Sequence, residues 1–248
     1  MADLRDIEAT VEHRPWPIPG GSWILFQSWQ NLLFAHWRVE PRLIRPLVPD
    51  ALELDLHDGD AWIAITPFEI DGFRPRGLPA LPVMSSFPEL NLRTYVRANG
   101  KPGIHFFSLD AGSRLAVLGA RTLFRLPYRE AEMRLERVDG GVRFHSARPD
   151  GSARFRAAYE PVDHAAEARP GSLEHFLVER YALFVVLRNG AMLQTEIHHR
   201  PWPLQPATAR IEENELAAAE GVPLPPDPPL LHFSRRLDTL IWPPVPLT

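Results

Sequence analysis

Short strand-like segments separated by tight turns recur along this chain, and no other feature restricts its fold as strongly. Turn dipeptides of the Asp-Gly and Asn-Gly type lie between these segments at 58–59, 99–100, 139–140, 150–151 and 189–190. Such dipeptides supply the positive φ angles that tight hairpin turns need. Apolar and β-branched runs lie between them, which predicts about ten strands. We expect a mainly β fold that closes on itself as an antiparallel barrel or packs as a sandwich, because closure removes edge strands.

A few segments depart from this strand pattern. Ala51–Leu56 and Ala61–Ile70 are predicted to form a hairpin, and the proline-rich stretch Gly72–Phe87 is predicted to be a long loop. Helical periodicity and capping residues predict one helical turn and two or three short helices, at Pro41–Leu47, Ser113–Phe124, Ser172–Tyr181 and Ile211–Glu220. No linker or repeat divides the chain, so residues 1–248 are expected to form a single domain.

Composition excludes several classes of function. The net charge of −4 argues against a nucleic-acid partner. No apolar run is long enough to cross a membrane and no leader is recognisable, so the cytoplasm is the expected location. The chain has no cysteine, which removes disulfides and thiolate chemistry, and Lys101 is its only lysine. Lys101 lies in a predicted exposed turn, where an amine makes a poor nucleophile.

Motifs for common cofactors and metals are also missing. The chain has no glycine-rich nucleotide loop, no nucleophile elbow and no His-Glu-x-x-His zinc motif. Among its ten histidines, His198 and His199 are adjacent on a predicted strand and therefore point to opposite faces. We therefore predict neither a metal site nor a cofactor.

Polar side chains occupy one face of a predicted strand in the middle of the chain. In the run Glu89–Val96, side chains alternate between two faces. Glu89, Asn91, Arg93 and Tyr95 therefore share one face, opposite a face of apolar residues and threonine. Such a row is either a solvated surface or the polar lining of a cavity.

Several sequence blocks resemble the YqjF-like family of uncharacterised bacterial proteins. Together they span roughly residues 15–210 and are specific as a combination. The blocks are Ala61-Trp62 to Pro67-Phe68, Phe87-Pro88-Glu89-Leu90-Asn91-Leu92-Arg93-Thr94-Tyr95-Val96, Gly100-Lys101-Pro102-Gly103, Phe106-Phe107-Ser108-Leu109-Asp110, Leu126-Pro127-Tyr128, Phe176-Leu177-Val178-Glu179-Arg180-Tyr181 and His199-Arg200-Pro201-Trp202-Pro203-Leu204. The family is similar to the acetoacetate decarboxylase superfamily. This similarity implies a mainly antiparallel, cone-like β-barrel with a buried polar pocket.

The same resemblance argues against the superfamily's best-known chemistry. Its motif Gly-Tyr-Pro-Lys-Lys supplies one lysine that forms a Schiff base and a second that depresses the pKa of the first. Aligning the proline with Pro127 places Tyr128 at the first lysine and Arg129 at the second. A tyrosine cannot form an imine with a ketone, so the alignment excludes imine-based decarboxylation. The pocket glutamate of the superfamily corresponds to Glu89.

Three hypotheses about function remain. The first is a protein that binds a small carboxylate or carbonyl compound of unknown identity, in a pocket formed by Asn91, Arg93, Arg121, Arg129 and, at its rim, Trp202. The second is a cofactor-free enzyme in which Tyr128 and Glu89 transfer protons, with an arginine lowering the pKa of the phenol. The third is a protein that binds a partner through the 72–87 loop.

A purely structural explanation competes with the first two hypotheses. Glu89 and Arg93 could pair with each other or with Arg121 to satisfy a buried polar wall, and Glu179 and Arg180 are interpreted as structural helix charges. The sequence leaves the oligomeric state and the pathway open.

Overall fold

A computed structural model describes residues 4–80 and 85–247. In this part of the chain the strands are β1 (Leu25–Val39), β2 (Glu53–Leu54), β3 (Ala61–Pro75), β4 (Phe87–Ala98), β5 (Lys101–Ala111), β6 (Tyr128–Glu130), β7 (Glu132–Val138), β8 (Gly141–Ala147), β9 (Arg154–Pro161), β10 (Ala182–Val186), β11 (Met192–His199), β12 (Gln205–Asn214), β13 (Leu230–Ile241) and β14 (Val245–Leu247). The helices are short: α1 (Leu4–Ala9), α2 (Pro41–Ile44), α3 (Arg114–Leu123), α4 (Leu173–Val178) and α5 (Leu216–Ala219). The prediction of a mainly β fold with few helices is confirmed.

Strand pairing forms a closed ring. It runs in the order β11, β10, β5, β4, β3, β1 and β13, and the pairing of β13 with β11 completes the circuit. Neighbouring strands of the ring are antiparallel except β10 and β5. A second sheet of β12, β9, β8 and β7 continues from β13. The closed circuit encloses a space that the strands' inward side chains can line.

The two faces of β4 show how the ring and the second sheet divide the core. Leu90 and Leu92 belong to the main hydrophobic cluster, together with Phe144 and Phe155 of the second sheet. The alternate residues Glu89, Asn91 and Arg93 line a cavity instead. Because both faces of the strand are covered, its polar row is buried rather than solvated.

Irregular strand pairing adjusts which residues of β1 face inward. The register against β3 shifts between Gln30 and Ala35, and Asn31 has a φ of 51°. Asparagine tolerates this left-handed conformation better than most residues, and the extra residue of a bulge reverses the alternation of faces. Trp29 and Leu32 therefore both line the cavity although they are three residues apart.

Gly103 is required where β10 joins the ring. A Cβ atom at this position would lie 2.6 Å from the carbonyl oxygen of Ala182. The adjacent residue Ile104 pairs with Leu183 in the parallel contact between β5 and β10. Only glycine permits this close approach, so the residue contributes to closing the ring.

Most local predictions are confirmed. The hairpins β4–β5 and β10–β11 form as expected, and the strands β7, β8 and β9 pair in sequence. Ser113 caps α3 by accepting a hydrogen bond from the backbone of Ala116, and Ser172 caps α4 in the same way. Among the described residues, no helix is long and apolar enough to cross a membrane.

Some predictions were wrong because tertiary pairing overrides local signals. β2 pairs with β4 rather than with β3, so the predicted hairpin at 51–70 does not form. Residues 205–214 form β12 against β9, and only Leu216–Ala219 of the helix predicted at 211–220 is helical. The loop predicted at 72–87 is shorter, since β3 continues to Pro75, and its residues 81–84 lie outside the described part.

Candidate functional site

A cavity of about 410 Å³ lies within the ring of strands and beneath α3. Most of its lining is apolar: Leu25, Trp29, Leu32, Phe68, Ile70, Phe73, Phe87, Ile104, Phe106, Leu109, Leu115, Leu123, Phe124, Leu126, Val178, Leu183, Ile197, Trp202 and Ile241. Its polar lining comprises Gln27, Thr66, Glu89, Asn91, Arg93, Thr122, Tyr128, Arg180, Thr195 and His199. An apolar cavity with a few convergent polar groups is the usual form of a small-molecule site.

Tyr128 and Glu89 form a hydrogen-bonded pair in the wall of the cavity. The rigid Pro127 precedes Tyr128, and β6 runs parallel to β5 with Tyr128 opposite Leu109. This places the Tyr128 hydroxyl 3.0 Å from Glu89 Oε2, to which it donates. Asn91 also hydrogen bonds to the Glu89 side chain. The two residues suggested for proton transfer are therefore brought together.

Burial determines the protonation of this pair. Desolvation raises the pKa of Glu89 to about 8, against the opposing hydrogen bonds from Tyr128 and Asn91. Glu89 therefore carries its proton at neutral pH. Desolvation, followed by the nearby Glu89, raises the pKa of Tyr128 well above its ordinary value. The expectation that an arginine lowers the pKa of this phenol was wrong, because burial is the dominant effect.

Arg93 is a buried cation held by neutral groups. Only 8% of the residue is exposed. Its side chain hydrogen bonds to Tyr95, whose hydroxyl lies 2.8 Å from His36 Nε2. Its guanidinium carbon also lies 5.3 Å from the centre of the Phe34 ring.

None of these partners neutralises the charge of Arg93. Burial, followed by the charge of Arg93, lowers the pKa of His36 well below its ordinary value, so the imidazole is neutral. Burial raises the pKa of Tyr95, which keeps the phenol protonated. Among the ion pairs of the described residues none involves Arg93, and its Nε atom is buried without a hydrogen-bond partner there. The alternative in which Glu89 and Arg93 form a structural ion pair is not observed.

Arg180, by contrast, has a carboxylate partner. Its Nη1 atom lies 2.5 Å from Asp55 Oδ2, and its Nε donates to the carbonyl oxygen of Phe176 at 2.6 Å. Asp55 also accepts from Arg97 at 2.6 Å. Arg180 lines the cavity because α4 ends at Val178, two residues before it, whereas the sequence predicted that it lies on the helix.

Other buried polar groups of the cavity wall also have no hydrogen-bond partner within the described residues. They are Thr66 Oγ1, Asn91 Oδ1, His199 Nε2 and Trp202 Nε1. Trp202 is only 2% exposed and stacks against Trp29, so it forms part of the inner wall rather than the rim. Thr66 and His199 were not identified from the sequence, although both lie on strands at two-residue spacing from other cavity residues, Phe68 and Ile197.

Two arginines predicted for the pocket lie elsewhere. Arg121 is exposed on α3, and its Nε donates to the backbone carbonyl of Tyr128 at 2.7 Å. Arg129 points away from the cavity and pairs with Glu220 at 3.0 Å. The strand alternation explains the second case, since Tyr128 and Arg129 face opposite sides of β6. The structure therefore joins Glu89, Asn91, Arg93, Tyr128 and Trp202 in one cavity and leaves Arg121 and Arg129 outside it.

Lys101 does not reach the cavity either. Its Nζ atom lies 2.7 Å from Glu196 Oε1, and 27% of its side chain is exposed. The prediction that Lys101 lies in an exposed turn was therefore wrong in detail, because the side chain is partly buried and paired. Because it is the only lysine in the chain, no lysine side chain lines the cavity. A Schiff base with a lysine is thus excluded there.

The two adjacent histidines do point in opposite directions. His198 Nε2 lies 2.7 Å from the carbonyl oxygen of Ile7, outside the cavity, whereas His199 lines it. Burial lowers the pKa of His198 to about 4 and that of His199 to about 3. Within residues 4–80 and 85–247, no group of three or more His, Asp or Glu side chains could hold a metal ion.

Comparisons with known proteins agree with this architecture. The model of DUF2071, described as an uncharacterized conserved protein, matches residues 26–238. The uncharacterized protein YqjF of Bacillus subtilis is 48% identical over 227 residues, covering 91% of this chain and 93% of that protein.

Solved structures of other proteins share the fold at low sequence identity, among them an enduracididine biosynthesis enzyme and an acetoacetate decarboxylase. The enduracididine biosynthesis enzyme MppR, solved in complex with pyruvate, has a TM-score of 0.64 at 13% identity and covers 97% of this chain and 95% of its own. Acetoacetate decarboxylase from Legionella pneumophila has a TM-score of 0.61 at 15% identity and covers 100% of this chain and 96% of its own. The fold is therefore that of acetoacetate decarboxylase-like proteins.

Proposed function

The chain belongs to DUF2071, a family of uncharacterised conserved proteins, and on that premise we propose that it binds a small carboxylate or carbonyl compound in the cavity. Arg93 is the anchor for the carboxylate. Asn91 and the protonated Glu89 provide the neighbouring polar contacts, and Trp202 forms part of the apolar wall. In this proposal the strand ring is the cone-like barrel of the superfamily, formed by a single domain that spans the whole chain.

The observation that carries the proposal is the uncompensated charge of Arg93. A buried cation without a counter-ion is unfavourable by several kcal/mol, since it gives up hydration without an attractive partner. Tyr95 hydrogen bonds to the Arg93 side chain, His36 contacts the Tyr95 hydroxyl, and both groups are neutral. An incoming carboxylate supplies the missing negative charge through short, charge-assisted hydrogen bonds.

The neighbouring Glu89 supports the same assignment. An ionised glutamate beside the binding position would repel an anionic ligand. Because burial raises the pKa of Glu89 to about 8, its carboxyl is neutral at pH 7 and can donate a hydrogen bond. The solved structure of MppR with pyruvate supports the proposal at the level of the fold, since it holds a small carboxylate compound.

Calorimetric titration with monocarboxylates tests this function. Pyruvate, benzoate and octanoate are titrated into the wild-type protein and into Arg93→Met. We expect at least one acid to bind the wild type and its affinity to fall at least about thirtyfold in the variant, as for other buried charge pairs that lose one partner. Arg121→Ala is the matched control, because Arg121 is exposed and outside the cavity. Equal affinity in wild type and Arg93→Met would overturn the proposal.

A cofactor-free enzyme is the second candidate, and the Glu89–Tyr128 pair favours it. A protonated carboxyl at neutral pH, hydrogen bonded to a phenol, is suited to proton transfer with a carbonyl compound. In D₂O, such an enzyme would accelerate hydrogen–deuterium exchange at the carbon next to the carbonyl of pyruvate or acetoacetate, which NMR detects.

The Tyr128→Phe variant separates this enzyme from a binding protein. The enzyme hypothesis predicts that Tyr128→Phe no longer accelerates hydrogen–deuterium exchange, while its affinity for the acid stays within about tenfold of the wild-type affinity. No acceleration by the wild-type protein would exclude the enzyme and leave the binding function standing.

A further inference from the structure

We propose that the ligand is an amphiphilic monocarboxylic acid whose carboxylate binds Arg93 and whose aliphatic or aromatic body extends towards α3. This inference rests on the proposed binding function and specifies the ligand class. The proposed ligand is larger than pyruvate, since a compound of that size would occupy only the polar end of the cavity.

Polarity is distributed unevenly in the cavity. Three polar residues, Glu89, Asn91 and Arg93, lie together on β4, and all are buried. Phe68, Phe106 and many other side chains make most of the remaining lining apolar. The other polar lining residues are spread over several elements: Gln27, Thr66, Thr122, Tyr128, Arg180, Thr195 and His199. An apolar wall contributes to binding only if the ligand covers it with apolar surface. The ligand therefore needs an extended apolar part in addition to its acid group.

The volume of the cavity sets the size of this apolar part. Ligand cavities of roughly 300–1,000 Å³ hold molecules of drug size. The cavity here measures about 410 Å³. At about 30 Å³ for each water-sized group, it has room for on the order of ten non-hydrogen atoms or more. A three-carbon acid would leave most of the aromatic wall without a contact.

The cavity opens to solvent beside α3. Leu115 and Leu123 line the cavity and yet are 57% and 48% exposed, so they mark the entrance. Arg93 is 8% exposed and lies at the inner side. An acid bound to Arg93 therefore directs its body outwards, along the apolar wall and towards the exposed leucines.

Gly119 leaves this entrance unobstructed. It lies on α3, lines the cavity, and a Cβ atom added there would meet no heavy atom within 4 Å. Glycine inside a helix is unfavourable by about 1 kcal/mol relative to alanine, so helix stability does not explain its presence. A side chain at this position would project into the path of the ligand body.

A chain-length series tests the ligand class. Butyrate, hexanoate, octanoate and the neutral 1-octanol are titrated into the wild-type protein by calorimetry. We expect affinity to rise by up to about fourfold for each buried methylene, and 1-octanol to bind more weakly than octanoate. If butyrate binds in an Arg93-dependent manner and octanoate binds no better, the inference fails while the proposed function stands. If none of the acids binds, both fail.

Gly119→Phe tests the position of the body. We expect the affinity for octanoate to fall at least about tenfold and the affinity for butyrate to change less than about threefold, with an unchanged circular dichroism spectrum. Leu118→Phe is the control, since Leu118 is exposed on the same helix and does not line the cavity. Leu123→Trp narrows the same entrance and is expected to act like Gly119→Phe. Wild-type octanoate affinity in both entrance variants would overturn the inference.

Discussion

Two buried arginines of this protein have opposite surroundings. Arg148 donates to both carboxylate oxygens of Asp110 at 2.7 and 2.8 Å and to Glu220 at 2.7 Å. The Arg148 and Asp110 side chains are 2% and 1% exposed. Arg93 is also buried, yet its partner Tyr95 is neutral, and so is His36, which contacts the Tyr95 hydroxyl. One arginine is fully paired within the protein, whereas the other retains an uncompensated charge.

The difference separates a structural role from a binding role. The Arg148 cluster joins β5, the turn after β8 and the segment after α5, so its ion pairs hold parts of the fold together. Arg93, Tyr95 and His36 form no ion pair that links separate parts of the fold, and Arg93 lines the cavity. Burial alone would have grouped the two residues together. The distinguishing feature is the balance of charge around each guanidinium.

Replacing Arg148 should produce the largest effect. Arg148→Met removes the cation and leaves Asp110 with a buried, uncompensated charge, while Glu220 keeps its ion pair with Arg129. We expect the free energy of unfolding to fall by about 3–5 kcal/mol, measured by urea denaturation. Arg154→Met is the control, because Arg154 pairs with Glu215 at the surface and its loss is expected to change stability by less than about 1 kcal/mol. If Arg148→Met and Arg154→Met lowered the free energy of unfolding equally, the buried ion pairs of Arg148 would not have the structural role assigned to them.

The pH dependence of stability should show the unusual state of Glu89. Its pKa is about 8 in the folded chain and 4.5 when unperturbed, so the folded state binds the proton more tightly. The free energy of unfolding therefore falls as pH rises through the window between these values, by at most about 1.4 kcal/mol per pH unit. Glu89→Gln removes this contribution, and its stability relative to wild type should increase from pH 5 to pH 8.

The control for this measurement is Glu132→Gln, an exposed position on β7. Buried histidines such as His199 also affect stability as pH changes, but they do so equally in all variants and cancel in the difference. A Glu89→Gln curve parallel to the wild-type curve would show that Glu89 ionises normally. The claim that the Glu89 carboxyl is neutral at pH 7 would then be wrong.

Replacing Arg93 should have the smallest effect on stability. Arg93→Met exchanges an uncompensated cation for an apolar side chain, and Tyr95 keeps its contact with His36. We expect the free energy of unfolding to stay within about 1 kcal/mol of wild type or to increase slightly, measured by the same urea titration. If Arg93→Met lowered the free energy of unfolding as much as Arg148→Met, Arg93 would be a structural residue like Arg148, and the contrast between them would be wrong.

The sequence predicted the elements better than the way they come together. Alternation placed Glu89, Asn91 and Arg93 on one face of β4, and the structure places that face on the cavity. The glycine-containing turns predicted the hairpins β4–β5 and β10–β11. These features depend on residues close in sequence, so a local pattern is sufficient to identify them.

Long-range features could not be predicted in the same way. The pairing of β2 with β4 joins residues separated by more than forty positions, and nothing in either segment specifies it. Arg121 matched the chemistry of an anion site but lies on the exposed side of α3. Arg180 was assigned to a helix that ends before it, and its approach to Asp55 depends on that end. The neutrality of Tyr95 and His36 follows from burial, which only the assembled fold reveals.

The most direct test of the account is a crystal structure of the protein grown with octanoate. We predict electron density for the carboxylate at about 2.7–2.9 Å from the Arg93 guanidinium, with the alkyl chain along Phe68 and Phe106 towards Gly119. A carboxylate bound at Arg180, at Arg121 or elsewhere on the surface would contradict the central claim that Arg93 retains its charge for a ligand.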